Sequence, residues 1–125
     1  MKKRILLAIF SLFGILSLQA AKYYVSPNGN DNNNGLSPAT AFQTLDKINS
    51  LNFFPGDIIA LEGGVTFTGF LKIDDDGIGG NPITLTSYNG IATIHSTKTK
   101  AVTIESSYFV AVSYTHLTLP TTPYV

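Results

Sequence analysis

Residues 23–61, YYVSPNGNDNNNGLSPATAFQTLDKINSLNFFPGDIIAL, decide the fold class by the order of their parts. Tyr23 to Ser26 is aromatic and β-branched and is stopped by Pro27, the pattern of a short strand. Pro27 to Ala39 is built from Asn, Gly, Asp, Ser and Pro, residues that tolerate left-handed backbone or hydrogen-bond their own turns. Thr40 followed three residues later by Gln43 predicts a capping box and a helix of about ten residues beginning there. Phe42, Leu45, Ile48 and Leu51 recur at helical spacing and give that helix one apolar face. Pro55-Gly56-Asp57 then turns the chain into Ile58-Ile59-Ala60-Leu61, an apolar strand.

That order, carried by Tyr24-Val25-Ser26-Pro27, Gly29-Asn30-Asp31, Gly35, Ser37-Pro38, Phe42, Thr44-Leu45, Pro55-Gly56-Asp57 and Gly80-Asn81-Pro82-Ile83, resembles the opening segment of secreted right-handed parallel β-helix proteins. These pectate-lyase-like proteins are rich in polysaccharide lyases and glycoside hydrolases. The resemblance implies a mainly β fold over residues 22–111, with an N-terminal capping helix over the open end of the coil and the first coils of the solenoid behind it. It implies a polysaccharide partner and a catalytic region further along the full-length protein. It assigns no catalytic residue within this chain.

Beyond Asp57 the residues themselves read as strands: Asp57 to Leu61, Gly69 to Ile73, Ile83 to Tyr88, Ala92 to Ser96, Ala101 to Glu105 and Tyr108 to Ala111, separated by Gly, Asn and Asp. Ile83, Leu85 and Ser87 alternate with Thr84 and Thr86, and Val102 and Ile104 with Thr103 and Glu105, so one face of each strand points inward. The offsets Leu71 to Ile91, Ile73 to Ile94 and Leu85 to Ile104 predict one coil per roughly 20 residues. An antiparallel sandwich of short strands is the competing architecture.

The chain opens MKKRILLAIFSLFGILSLQA, with cations at Lys2, Lys3 and Arg4, an apolar run from Ile5 to Leu18 and a small residue at Ala20. This is the pattern of a secretory signal peptide over residues 1–20, cleaved after Ala20, with a cut after Ala21 left open. The run is short of the roughly 20 residues a membrane span needs, so no stable membrane anchor is expected. A secreted or periplasmic protein follows. Losing the three cations takes the formal net charge from +0 to −3. A mildly acidic surface without a Lys/Arg block has nothing to attract nucleic acid. Cysteine is absent, so stability rests on burial alone, although an exported compartment would permit disulfides.

Residues 112–125, VSYTHLTLPTTPYV, resemble the in-frame translation of a transposase adapter used in sequencing libraries. They are expected to be foreign, with the natural chain continuing past Ala111 into further coils and a cap. His116 belongs to this tail. The competing reading is a strand of alternating residues closed by Pro120.

Asp74, Asp75 and Asp76 form the one concentrated charge of the mature part. Adjacent carboxylates repel, so they belong in a solvated turn or on a cation, and calcium takes such oxygen ligands. The solvated turn is the reading taken, with calcium in the full-length protein as its alternative and these three aspartates as its candidates; no cofactor is evident. Asn30, Asn32, Asn34 and Gly35 echo a calcium loop, but Ala41 stands where the motif demands Glu. His95, Lys72, Lys98, Lys100 and Glu105 are read as outward surface residues, and Asp57 as part of its turn. Elimination chemistry needs a cation or Arg to hold developing charge, and after Arg4 the chain contains no Arg. Hydrolysis needs two carboxylates across a cleft. The expected function is that of an exported carbohydrate-active β-helix protein, by lyase or glycosidase chemistry, with the present chain inactive by itself; the alternative is a non-catalytic glycan-binding or adhesin β-helix.

Overall fold

Strict alternation makes Ile83–Tyr88 a strand, with Ile83 and Leu85 fully buried and Thr84 and Thr86 on the other face. The same period recurs along residues 19–111, which are those described by the computed structural model. Residues 1–18, most of the expected leader, and residues 112–125, the expected foreign tail with His116, lie outside the described residues. Eight strands follow in order: β1 (Lys22–Val25), β2 (Ile58–Glu62), β3 (Thr66–Thr68), β4 (Leu71–Ile73), β5 (Ile83–Tyr88), β6 (Thr93–His95), β7 (Val102–Ile104) and β8 (Phe109–Ala111).

All of their pairings are parallel. One sheet has the order β1-β2-β5-β8; β3 pairs with β6, and β4 with β7. The strands β2, β3 and β4 therefore make one coil, β5, β6 and β7 stack on it, and β8 opens the next. This is a parallel β-helix: neighbours in a sheet are a whole coil apart in sequence, as parallel pairing requires. The sandwich is excluded by the strand direction.

The coil is longer than the offsets near 20 predict. Leu85 pairs with Ile59, 26 residues earlier, and with Ala111, 26 residues later. Ile94 pairs with Phe67, an offset of 27, while Leu71 pairs with Val102 and Ile73 with Ile104, offsets of 31. Ile91, expected inside, is 48% exposed. Each coil has three strands, and the sequence reading passed over β3 as a turn. Alternation looks alike in every sheet, so it matched residues belonging to different sheets.

Inward side chains form rows: Tyr23, Ile59 and Leu85 in one, Val25, Leu61 and Ser87 in the next. All of these except Ser87, together with Phe67, Leu71, Ile73, Ile83 and Val102, make one apolar core. Fully burying an aliphatic side chain of this kind stabilises by about 1.5–3 kcal/mol before the entropy of ordering is subtracted. At one corner the coils come so close that a methyl group on Gly63 would collide with the backbone of Gly90.

The cap differs in detail from its expectation. The helix, α1 (Leu45–Asn49), has five residues, and its N-cap is Thr44, whose hydroxyl accepts the Lys47 N–H at 3.1 Å. Thr40 instead ends a short 3-10 turn capped by Ser37, and Gln43 donates its backbone N–H to Asp31. Leu45 and Ile48 are buried, with Phe42 stacked against Tyr23 at 6.1 Å. Asn49 completes the edge of β4: its side-chain N–H donates to the Phe70 carbonyl at 2.9 Å, and its side-chain oxygen accepts the Lys72 N–H at 2.8 Å. The side-chain amide occupies the place of a missing strand and satisfies backbone groups that an open edge would expose.

Candidate functional site

The outer face of the four-stranded sheet carries an aromatic pair. Because Tyr23 and Val25 point inward, Tyr24 points out, in register with Ala60 and Thr86. Tyr88 lies beyond Thr86 on the same face, beside Glu62. The two tyrosine rings meet edge to face at 5.2 Å across β2, and Ala60 beneath them has no exposed surface although it faces outward. Lys22 places its ammonium 5.2 Å from the Tyr24 ring centre, a cation–π contact. Burial, the Glu62 charge and Tyr24 push the Tyr88 phenol above its usual range, so at neutral pH it remains a hydroxyl that can donate. The patch thus offers apolar ring surface, a carboxylate acceptor and an ammonium donor in one place. With Glu62 as its single carboxylate, it is suited to holding a polyhydroxylated ligand rather than to two-carboxylate hydrolysis.

A concavity of about 300 Å³ lies between the cap and β3, lined by Pro27, Gln43, Thr44, Leu45, Thr66, Phe67 and Thr68. No ionisable side chain lines it. Its wall is held by Asp31, which accepts the Gln43 N–H at 2.8 Å, the Thr44 N–H at 3.0 Å and the Thr44 hydroxyl at 2.6 Å. Burial works to raise the Asp31 pKa, but these hydrogen bonds and the Lys47 charge outweigh it, and the carboxyl sits below its ordinary range. The polyasparagine loop is turn chemistry, as expected: Asn30 accepts from the Asn32 N–H and Asn34 from the Leu36 N–H, each two residues on.

The three consecutive aspartates do not converge. Asp74 reaches Lys72 at 3.5 Å, Asp75 accepts the Phe53 N–H at 2.7 Å, and Asp76 accepts the Ser107 N–H at 2.7 Å. Two of them tie the turn to neighbouring loops. Among the described residues no group of three or more His, Cys, Asp or Glu side chains is placed to hold a metal ion. Lys72 also reaches Glu105 at 3.8 Å; these carboxylates are more than half exposed and share a surface ammonium. Such open pairs add little stability. His95 is exposed at the end of β6, and Lys98 lies over the Phe70 ring at 4.6 Å. Asp57, read as a turn residue, is 2% exposed. The outer-face pair escaped the sequence reading because its two tyrosines are 64 positions apart and meet only through the register of β1 with β5 across β2.

No protein-family model and no curated protein matches this chain. Among solved structures, the selenomethionine derivative of the GH136 lacto-N-biosidase from Eubacterium ramulus superposes with a TM-score of 0.67 at 25% identity, over 75% of this chain and 20% of that one. The native form of the same enzyme superposes with a TM-score of 0.53 at 32% identity, over 67% of this chain and 13% of that one. The chain spans at most about a fifth of the length of the protein it resembles. No helix among the described residues is long and apolar enough to cross a membrane.

Proposed function

We propose that the chain is part of an exported, carbohydrate-active β-helix protein, and that Lys22, Tyr24, Glu62 and Tyr88 on its outer sheet face hold an oligosaccharide. The observation that carries this is the likeness to the lacto-N-biosidase over three quarters of the chain. Of the two reaction classes the β-helix resemblance implies, glycoside hydrolysis is favoured by that neighbour's activity; the lack of any Arg after Arg4 weighs against an elimination centre in this portion alone. The described residues gather no pair of carboxylates across a cleft, so this part of the coil is proposed to bind glycan rather than cleave it. That arrangement also favours, as a second reading, a protein that only binds glycans.

The test is oligosaccharide binding by calorimetry, using substrates of a lacto-N-biosidase alongside uronic-acid oligomers. Tyr24→Ala and Tyr88→Ala should each weaken binding by roughly 3- to 10-fold, the worth of one aromatic contact, with the circular dichroism spectrum unchanged. Binding that is indifferent to both substitutions would remove the outer face from consideration. Release of sugar from a substrate by the purified protein would decide against the purely binding alternative.

A further inference from the structure

The backbone N–H of Ala21 donates to Oδ1 of Asp57 at 2.8 Å. Asp57 is 2% exposed, and its Oδ2 accepts the Phe54 N–H at 2.9 Å. The same stretch of backbone is fixed from its other side, because the Ala21 carbonyl accepts the Ile58 N–H at 2.8 Å. Asp57 therefore spends both carboxylate oxygens on amides, one closing its own turn and one holding the start of the first strand. Among the described residues the side-chain ion pairs are those of Lys72 with Asp74 and Glu105, so no side-chain cation is paired with this buried carboxylate. A charge buried beside neutral donors alone is costly, and a cation at the same distance would compensate it.

Cleavage of the leader supplies such a cation. We infer that export cuts the Ala20–Ala21 bond, and that the α-ammonium so created becomes the ionic partner of Asp57 and locks the new N-terminus onto the first coil. Water adds across the peptide bond, under a peptidase of the export machinery; Ala20 leaves as a carboxylate and Ala21 gains an α-amine, protonated at neutral pH. One N–H of that ammonium takes over the bond the amide makes to Oδ1, and the others face solvent, since Ala21 is only half-buried. Gln19 and Ala20 are exposed and outside the core, so their departure takes away no buried side chain, although Ala20 rests beside Gly56. The alternative cut after Ala21 is disfavoured on the same geometry. It would remove the donor from Oδ1 and the acceptor from Ile58 together, leaving a buried carboxylate oxygen without a partner.

The inference rests on the export proposed above, and the experiment separates the two. The 125-residue chain is expressed with its leader in a secreting bacterial host, and the first residue of the product is identified by mass spectrometry. Ala21 is expected. Lys22 or any other new N-terminus overturns the inference and leaves export standing; a product that keeps Met1 overturns both. The ion pair is then read on the unaltered protein by titrating the α-amine of 15N-labelled Ala21 by NMR. Its pKa should lie about one unit or more above the ordinary α-amino range of roughly 7.7–8.0, and Asp57→Asn should return it to that range. An ordinary value in the folded, unsubstituted protein overturns the ion pair without depending on any variant.

Discussion

At the scale of single residues, Asp31 shows how one carboxylate can set a local fold. It collects two amides and a hydroxyl from Gln43 and Thr44, and Thr44 in turn caps α1. Asp31→Ala should lower stability by about 1–2 kcal/mol, the scale of a partly exposed charge-assisted hydrogen-bond set, measured by urea unfolding at pH 7. The pH dependence follows from its lowered pKa. A carboxyl whose folded pKa lies below its unfolded value stabilises fully above the ordinary value of about 3.9 and loses that contribution as pH falls through the folded value. The difference between parent and Asp31→Ala should therefore shrink on acidification below pH of about 4; a difference that grows there would contradict the hydrogen-bond assignment. The sequence showed the turn chemistry of this loop but put the cap at Thr40, because the Thr40-Gln43 spacing satisfies the capping-box rule locally. What selects Thr44 is Asp31, thirteen residues upstream, a contact no local pattern contains.

At the scale of elements, alternation was legible and partnership was not. Ile83–Tyr88 was readable as a strand with Leu85 inside, and Leu85 is completely buried, in register between Ile59 and Ala111. Leu85→Asp should unfold the protein or cost more than about 4 kcal/mol, since it buries an unpaired charge. Thr84→Asp, in the outward row with Ile58 and Val110, should stay within about 1 kcal/mol of the parent. Equal losses for the two in thermal denaturation would mean that the inward and outward faces are exchanged. β3 escaped notice because its three residues, Thr66–Thr68, show too little alternation to distinguish a strand from a turn, and with it went the true coil length. The outer-face tyrosines share that fate: Tyr24 and Tyr88 become neighbours only once β1, β2 and β5 are laid side by side.

At the scale of the whole molecule, the coils agree in pitch while disagreeing in outline. The connection from β3 to β4 is residues 69–70, whereas the matching connection from β6 to β7 is residues 96–101; the excess is recovered between β7 and β8, where residues 105–108 answer to 74–82. The longer corner lies outside the strands and exposes Lys98 and Lys100. Brief trypsin treatment should cut first after Lys98 or Lys100, ahead of Lys22, Lys47 and Lys72, which sit in a strand, a helix and a strand; a first cut after Lys72 would mean that β4 is not stably paired. The offset of 26 along the main sheet survives this unevenness, holding from β2 to β5 and again from β5 to β8. A winding of this kind has slack at its corners and none along its sides. Length can be borrowed at one bend and returned at the next, so descendants of the sequence are free to gain or shed residues there and remodel the contour a ligand meets, while every rung of the ladder keeps its place.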